Sequence, residues 1–251
     1  MFYSKKLKKF KEINHIFFSN KNGFSKGIYK SLNCGQGSKD SKKNIFKNLK
    51  YVSDKMLLKK NNLILMNQTH SNKVIEVKKG ALGLKKINSD AIITKTKGLG
   101  LGVVTADCVP VIVYDAKNKI IGCIHAGWKG ALSGIIKNTI SKIKKINSKN
   151  KIYAVIGPCI GKNSYEVDFN FYNKFLSKSK KNKKYFFKKN SEKKLFDLRK
   201  FVSDKLAELK VKIYHVNHDT FTEKHNFFSY RRSCKLKQKD YGRCLSVISL
   251  I

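Results

Sequence analysis

Between Leu63 and Ile124 the chain repeats one pattern, short β-branched or apolar runs bounded by Gly, Asn or Asp. The runs are Leu63–Met66, Val74–Val77, Ala91–Thr94, Leu99–Thr105, Val111–Tyr114 and Ile120–Ile124. Several are apolar at consecutive positions and not only at alternate ones, which predicts central strands covered on both faces. After Trp128 the period changes. Leu132, Ile135, Ile136, Thr139, Ile140, Ile143 and Ile146 follow the i, i+3, i+4 spacing of one amphipathic helix. A strand is predicted at Ile152–Ile156, a second helix over about Leu198–Leu209 with Phe201, Val202, Leu206 and Leu209 inward, and strands at Val211–Val216 and Leu245–Leu250. Strands and helices mix without strict βαβ alternation. The pattern therefore predicts an α+β chain, a mixed α/β sandwich with central strands flanked by helices. With no repeat and no Pro/Gly/Ser linker, it is expected to be a single domain over residues 1–251. Ser177 to Lys194, mostly Lys, Asn and Ser around Tyr185, Phe186 and Phe187, is expected to be an exposed, mobile excursion.

Net charge is the second constraint. The formal value is +39, from 55 Lys+Arg against 16 Asp+Glu, while 41% of residues are hydrophobic. A disordered polycation is excluded by that apolar content. Arginine occurs only at Arg199, Arg231, Arg232 and Arg243, and the other basic residues are lysines, dispersed among many Asn and Ile. A/T-rich codons encode these residues, so the charge reads as compositional drift at exposed positions. Charge alone supports only non-specific binding to nucleic acid, and no RNP1 or KH signature accompanies it, so no specific nucleic-acid partner is expected. No run of about 18 apolar residues could cross a bilayer. The N-terminal stretch lacks the apolar core and cleavage site of a secretory signal, so a cytoplasmic location is expected. The six cysteines are then thiols or metal ligands.

Residues that resist the drift cluster. Pro110, Pro158 and the one tryptophan, Trp128, lie in Ala106-Asp107-Cys108-Val109-Pro110, His125-Ala126-Gly127-Trp128 and Gly157-Pro158-Cys159. His70, Cys108 and His125 each fall at or just past the end of a predicted strand. Imidazole and thiolate are zinc ligands, and strand ends can gather them from distant sequence. Three protein ligands leave a fourth position open, as in catalytic zinc sites, where bound water ionises near pH 7. The same atoms also suit metal-free chemistry, with Cys108 as nucleophile and His125 or His70 as base. Spacing leaves both open, and no CxxC or HExxH motif decides. Cys159 after its Gly-Pro turn is expected to be structural, Cys34, Cys123, Cys234 and Cys244 packing residues, and Trp128 core. Gln68 is expected on the same face as His70 of an extended strand. Asp107 should point away from Cys108. Arg231 and Arg232, rare cations in a lysine-rich chain, are candidates for a phosphate or carboxylate contact or for an ion pair within the fold.

Read in order, Asn67-Gln68-Thr69-His70, Asp90-Ala91-Ile92-Ile93-Thr94, Thr105-Ala106-Asp107-Cys108-Val109-Pro110, His125-Ala126-Gly127-Trp128-Lys129-Gly130, Ile156-Gly157-Pro158-Cys159, Ser164-Tyr165-Glu166-Val167 and Phe227-Phe228-Ser229-Tyr230-Arg231-Arg232 with Tyr241-Gly242-Arg243 resemble the successive motifs of the laccase-domain (YfiH-type) family. Its members, first named polyphenol oxidases, are described as purine nucleoside phosphorylases with adenosine deaminase activity. The resemblance implies that His70, Cys108 and His125 are zinc ligands. It implies purine nucleosides (adenosine, inosine, methylthioadenosine) and phosphate as substrates, with Gln68, Arg231 and Arg232 as substrate-binding candidates, in a monomer or homodimer. Copper, the family's older label, is disfavoured because a three-ligand set lacks the many histidines that several coppers need. Two family arginines are replaced here by Asn20 and Leu49. If they hold an anion, Lys21 or Lys50 can supply charge but not the bidentate fork, and weaker phosphate binding is expected. Asp219-Thr220 stands where many members carry Cys-Thr. Two rivals remain: a Cys108-dependent amidase or peptidoglycan-editing hydrolase, and a basic nucleic-acid-binding module with a structural metal site.

Overall fold

The computed structural model describes residues 1–59, 61–78, 87–146 and 149–251. In chain order they form β1 (Ile13–Phe17), α1 (Lys42–Lys55), β2 (Leu63–Asn67), β3 (Val74–Glu76), β4 (Ile87–Asn88), β5 (Ala91–Thr94), β6 (Gly100–Thr105), β7 (Val109–Asp115), β8 (Ile120–Ala126), α2 (Trp128–Ser133) and α3 (Ile135–Ile146). Then follow β9 (Ile152–Ile156), β10 (Glu166–Asp168), α4 (Phe169–Lys178), β11 (Phe186–Lys188), β12 (Lys193–Phe196), α5 (Leu198–Ala207), β13 (Lys212–His215), α6 (Tyr230–Lys235) and β14 (Cys244–Leu250). Two mixed sheets stack on each other. One has the order β1-β14-β6-β2-β4, the other β13-β9-β7-β8-β5-β3, and a small sheet β10-β12-β11 lies apart.

Alternation along each strand builds the layers. On β7, Val109, Val111 and Val113 face α3 and α5, while Ile112 and Tyr114 face the other sheet. Leu101, Val103, Ile248 and Leu250 meet them from the five-stranded sheet. On the outer face of that sheet, Leu63, Leu65, Val104, Leu245 and Val247 lie under Val52 and Met56 of the α1 arm. The result is a helix/sheet/sheet/helix sandwich of the predicted class. Both central strands β7 and β8 are buried at every residue, which is why they read as unbroken apolar runs. Burying each such Ile or Val contributes about 1.5–3 kcal/mol.

The structure corrects two expectations. The helix after Trp128 is two helices, because Gly134 at φ 97° takes the left-handed conformation that ends α2 and turns the chain into α3. The stretch from Ser177 to Lys194 is ordered: Asn182 and Tyr185 are buried, and Phe186 packs against Phe171, Phe175 and Phe196. Its lysines point outward and hide an aromatic core in the sequence. Among the described residues no helix is long and apolar enough to cross a membrane.

His15 on β1 is buried, and its Nε2 accepts the Ser4 N–H at 3.0 Å. Burial, helped by the nearby charge of Lys8, pushes its pKa down to about 4. The folded value lies below the unfolded value of about 6.5, so its contribution is complete above that pH and is lost as pH falls toward 4. The loss is on the order of 3 kcal/mol. His15→Gln keeps an acceptor for Ser4 without titrating, so its urea-unfolding free energy should fall less than that of wild type between pH 7 and 4.5. Parallel curves for the two proteins would refute this assignment.

Candidate metal centre

At one end of the sandwich the chain crosses from the five-stranded to the six-stranded sheet three times: after β2, after β4 and after β6. His70 lies in the first crossing, Asp90 in the second and Cys108 in the third, and His125 is the penultimate residue of β8 at the same end. The ligand atoms of His70, Cys108 and His125 lie within 4.8 Å of one another. Cys108 Sγ is 3.9 Å from His70 Nε2. The His70 and His125 rings meet nearly edge-on, with centroids 4.8 Å apart. His70 is exposed, Cys108 half-buried and His125 buried, so the cluster has a closed back and an open front.

Asp90 holds the cluster together, and the sequence reading gave it no role. Fully buried, it accepts His125 Nδ1–H at 2.8 Å, the backbone N–H groups of Thr69, His70 and Ser71 at 3.1, 3.0 and 2.7 Å, and the Ser71 hydroxyl at 2.7 Å. His70 sits at φ 59°, a left-handed conformation unfavourable for a side chain. The Asp90 bonds to three successive amides hold that turn in place. Burial alone would raise the Asp90 carboxyl, but the bonds from His125 and Ser71 hold it well below the usual carboxylate range. Burial likewise works against charge on Cys108 and His125, and here too partners prevail. The two imidazoles bring the thiol down to about 6, and the thiolate with Asp90 lifts His125 to about 9. At neutral pH the site therefore presents a thiolate, the form that binds metal or attacks an electrophile.

The donor set fits a tetrahedral ion. Zn–S and Zn–N bonds near 2.3 and 2.0 Å place donors roughly 3.5 Å apart, close to the Cys108–His70 distance. Because Asp90 takes His125 Nδ1, Nε2 is the nitrogen left to an ion, which would displace its proton on binding. This is the carboxylate–histidine arrangement common behind metal ligands. Gly127 completes the cradle. A Cβ there would lie 2.7 Å from His70 Cδ2 and 3.0 Å from Cys108 Sγ, so only glycine leaves the ligands their space.

The open front faces a cavity of about 1310 Å³ on the outer side of the five-stranded sheet. Its walls are α1 (Phe46, Leu49, Lys50), the sheet (Leu63, Leu65, Val104) and the Tyr241–Arg243 turn, with His70, Cys108 and His125 at the strand-end edge. The other predicted site residues are placed differently. Gln68 lines the cavity and clamps β2 to β6: Nε2 donates to Val104 O at 2.8 Å and Oε1 accepts Val104 N–H at 2.9 Å. These bonds use one N–H and one lone pair of the amide and leave the second of each. Arg232 donates to the carbonyls of Thr220, Phe221 and Phe227, and Arg231 donates to Glu166 O with its guanidinium over the Tyr165 ring. Neither lines this cavity or has a carboxylate within ion-pair distance among the described residues; their guanidinium bonds go to backbone carbonyls. Asp107 points away from Cys108, as expected, and accepts the Thr220 and Ser229 hydroxyls and the Arg231 N–H. Cys159 is buried, and Trp128 packs on Phe171 in the helix-side core.

The family described as multi-copper polyphenol oxidoreductase laccase matches residues 14–251. The chain belongs to this family. Among relatives, a purine nucleoside phosphorylase of Rickettsia conorii is 41% identical over 192 residues, 76% of this chain and 79% of that protein. A purine nucleoside phosphorylase of Haemophilus influenzae is 31% identical over 241 residues, 95% and 94% of the two chains. The crystal structure of a Neisseria meningitidis protein superposes with a TM-score of 0.85 at 29% identity, covering 96% of this chain and 95% of that one. A Bacillus licheniformis protein titled hypothetical protein YfiH gives 0.88 at 27% identity, with 95% and 93% covered. Despite the family's name, His70, Cys108 and His125 are the one group of three or more metal-ligating side chains among the described residues.

Proposed function

We propose that this laccase-family protein is a zinc-dependent purine nucleoside phosphorylase that cleaves adenosine, inosine and methylthioadenosine with phosphate and also deaminates adenosine. The observation that carries the reading is a two-histidine, one-thiolate cluster, closed behind by Asp90 and open in front to a cavity large enough for a nucleoside and an anion. The names of the Rickettsia and Haemophilus relatives supply the substrate class. Zinc is favoured over several coppers because one thiolate and two imidazoles make one site. When bound, zinc supplies a Lewis acid that polarises an oxygen and acidifies water.

The chain's own residues do the rest. His70, Cys108 and His125 hold the ion, and Asp90 fixes the ring of His125 and the backbone of His70. Leu63, Leu65, Val104 and Leu49 offer apolar surface to a purine, and the cations at the rim draw phosphate. In phosphorolysis a phosphate oxygen bonds to the ribose C1′ as the bond to the base breaks, giving free base and sugar 1-phosphate. In deamination water adds at the purine C6 and ammonia leaves.

The test is adenosine turnover by metal-analysed protein with and without phosphate, with adenine and inosine followed separately. Adenine that appears only with phosphate, and inosine in either case, is the expected result. Neither product from folded, zinc-loaded protein overturns the reading. A second reading rests on one observation, the Asp90–His125–Cys108 series of carboxylate, imidazole and low-pKa thiol, which is also the layout of a cysteine hydrolase. Chelation separates the two: a zinc enzyme stops, while a cysteine amidase continues and is instead silenced by alkylation of Cys108.

A further inference from the structure

We propose that Arg243 is the residue that holds the phosphate beside the metal cluster, a role the sequence had pointed to Arg231 or Arg232; the inference rests on the phosphorylase reading and deepens it. Strand register gives its position. β14 runs antiparallel to β6 with Cys244 opposite Thr105, and β2 runs parallel on the other side of β6 with Leu65 opposite Gly102. Extending both pairings by the strand period sets Arg243 across from Ala106 and Gln68 level with Thr105. Neighbouring strands are about 5 Å apart, so Arg243 stands at the same strand-end level as the crossings that carry Cys108 and His70. Parity gives its direction. Residues 243, 245 and 247 alternate onto the outer face with 104 and 102, and Arg243 lines the cavity that the cluster opens into.

The side chain is held in place without a direct ion pair. Its guanidinium lies 4.2 Å over the Tyr241 ring and gives one bond, Nη1 to Tyr241 O at 3.2 Å. Its backbone is pinned by Asn33 Oδ1 and by the Cys34 N–H. Gly35 makes room for it, since a Cβ there would lie 2.8 Å from Arg243 Cδ. The adjacent Asp240 carboxylate feels the Arg243 charge but makes no ion pair with it, and is hydrogen-bonded instead by the Tyr29 hydroxyl and the Lys39 N–H, at 2.8 and 2.7 Å. The other three arginines also donate to backbone carbonyls, Arg199 and Arg232 through both ends of the fork and Arg231 through one, but none of them lines this cavity. Lys50, on the opposite wall, is ion-paired with Asp54 at 3.0 Å. Arg243 alone among these cations presents a stacked, planar fork to the cavity, the geometry that binds a tetrahedral oxyanion through two donors. The anion is either free phosphate or the 5′-phosphate of a nucleotide, and the same site chemistry serves both.

The experiment compares wild type, Arg243→Gln and Arg243→Lys, each zinc-loaded and checked for an unchanged melting temperature. In adenosine phosphorolysis the KM for phosphate should rise on the order of ten- to a hundredfold in Arg243→Gln, and less in Arg243→Lys, while the KM for adenosine stays near wild type. Calorimetric binding of inorganic phosphate and of AMP to the same proteins reads the site without turnover. Lost phosphate affinity supports the proposal with free phosphate as ligand; affinity lost for AMP only supports an oxyanion site for a nucleotide. An unchanged phosphate KM together with unchanged binding of both anions in folded Arg243→Gln overturns it. Wild type that binds phosphate through Arg243 but releases no adenine would sink the phosphorylase reading and leave the anion site standing.

Discussion

Cys108→Ala is expected to leave a folded protein that no longer retains zinc and turns over adenosine at less than about one hundredth of the wild-type rate. The bound rests on second-sphere substitutions, which already cost about 10- to 100-fold in affinity or activity; removing a ligand outright must cost more. The fold should survive, because Cys108 is half-buried in a crossing and its loss empties no core position. Without the thiolate, His125 also loses a partner that lifts its pKa, so with both proteins stripped of metal it should titrate lower in the variant than in wild type, which NMR of the imidazole can follow. Stoichiometric zinc and near-normal turnover in Cys108→Ala would refute the role assigned to it.

Asp90→Asn should affect metal and fold together. The amide keeps the side-chain shape but loses the charge and turns one acceptor oxygen into a donor facing His125 and the 69–71 turn. Six donors converge on Asp90, and Asn cannot accept them all. A loss of about 2–4 kcal/mol in unfolding free energy is expected, with zinc affinity down about 10- to 100-fold. Urea unfolding of metal-free protein isolates the first effect, and competitive chelator titration measures the second. A variant with wild-type stability and wild-type zinc affinity would show that the carboxylate is dispensable.

How much of this was legible in the sequence depended on whether the signal was local. β7, β8 and the α3 face stand out because burial dictates residue type at each position. His70, Cys108 and His125 could be picked out because strand ends, unlike strand middles, free a side chain for chemistry. Asp90 was visible as a motif residue, but its partners are 20 and 35 positions away, and only the crossing topology brings them to it. The partners of Arg231 and Arg232 are hidden for the same reason. The rarity of these arginines was local information, whereas the carbonyls they serve come from the 220–227 loop and from Glu166. α1 is masked by its lysines, although Ile45, Leu49, Val52 and Met56 carry a helical spacing. The left-handed turn at His70 left no trace, since neither glycine nor asparagine marks it.

The strand order β1-β14-β6 bears on how the protein is made. β1 is the first described strand to leave the ribosome and β14 the last, yet β14 lies between β1 and β6, so a nascent chain holds a sheet with an empty slot until synthesis has passed residue 250. Pairing residues 13–17 with 246–250 is about as non-local as this chain permits, and such contacts form late. His70, Cys108 and His125 are all translated well before then. During that interval the Cys108 thiol sits in an unfinished sandwich, open to oxidants and to stray metals, and the Arg243 wall of the cavity does not yet exist.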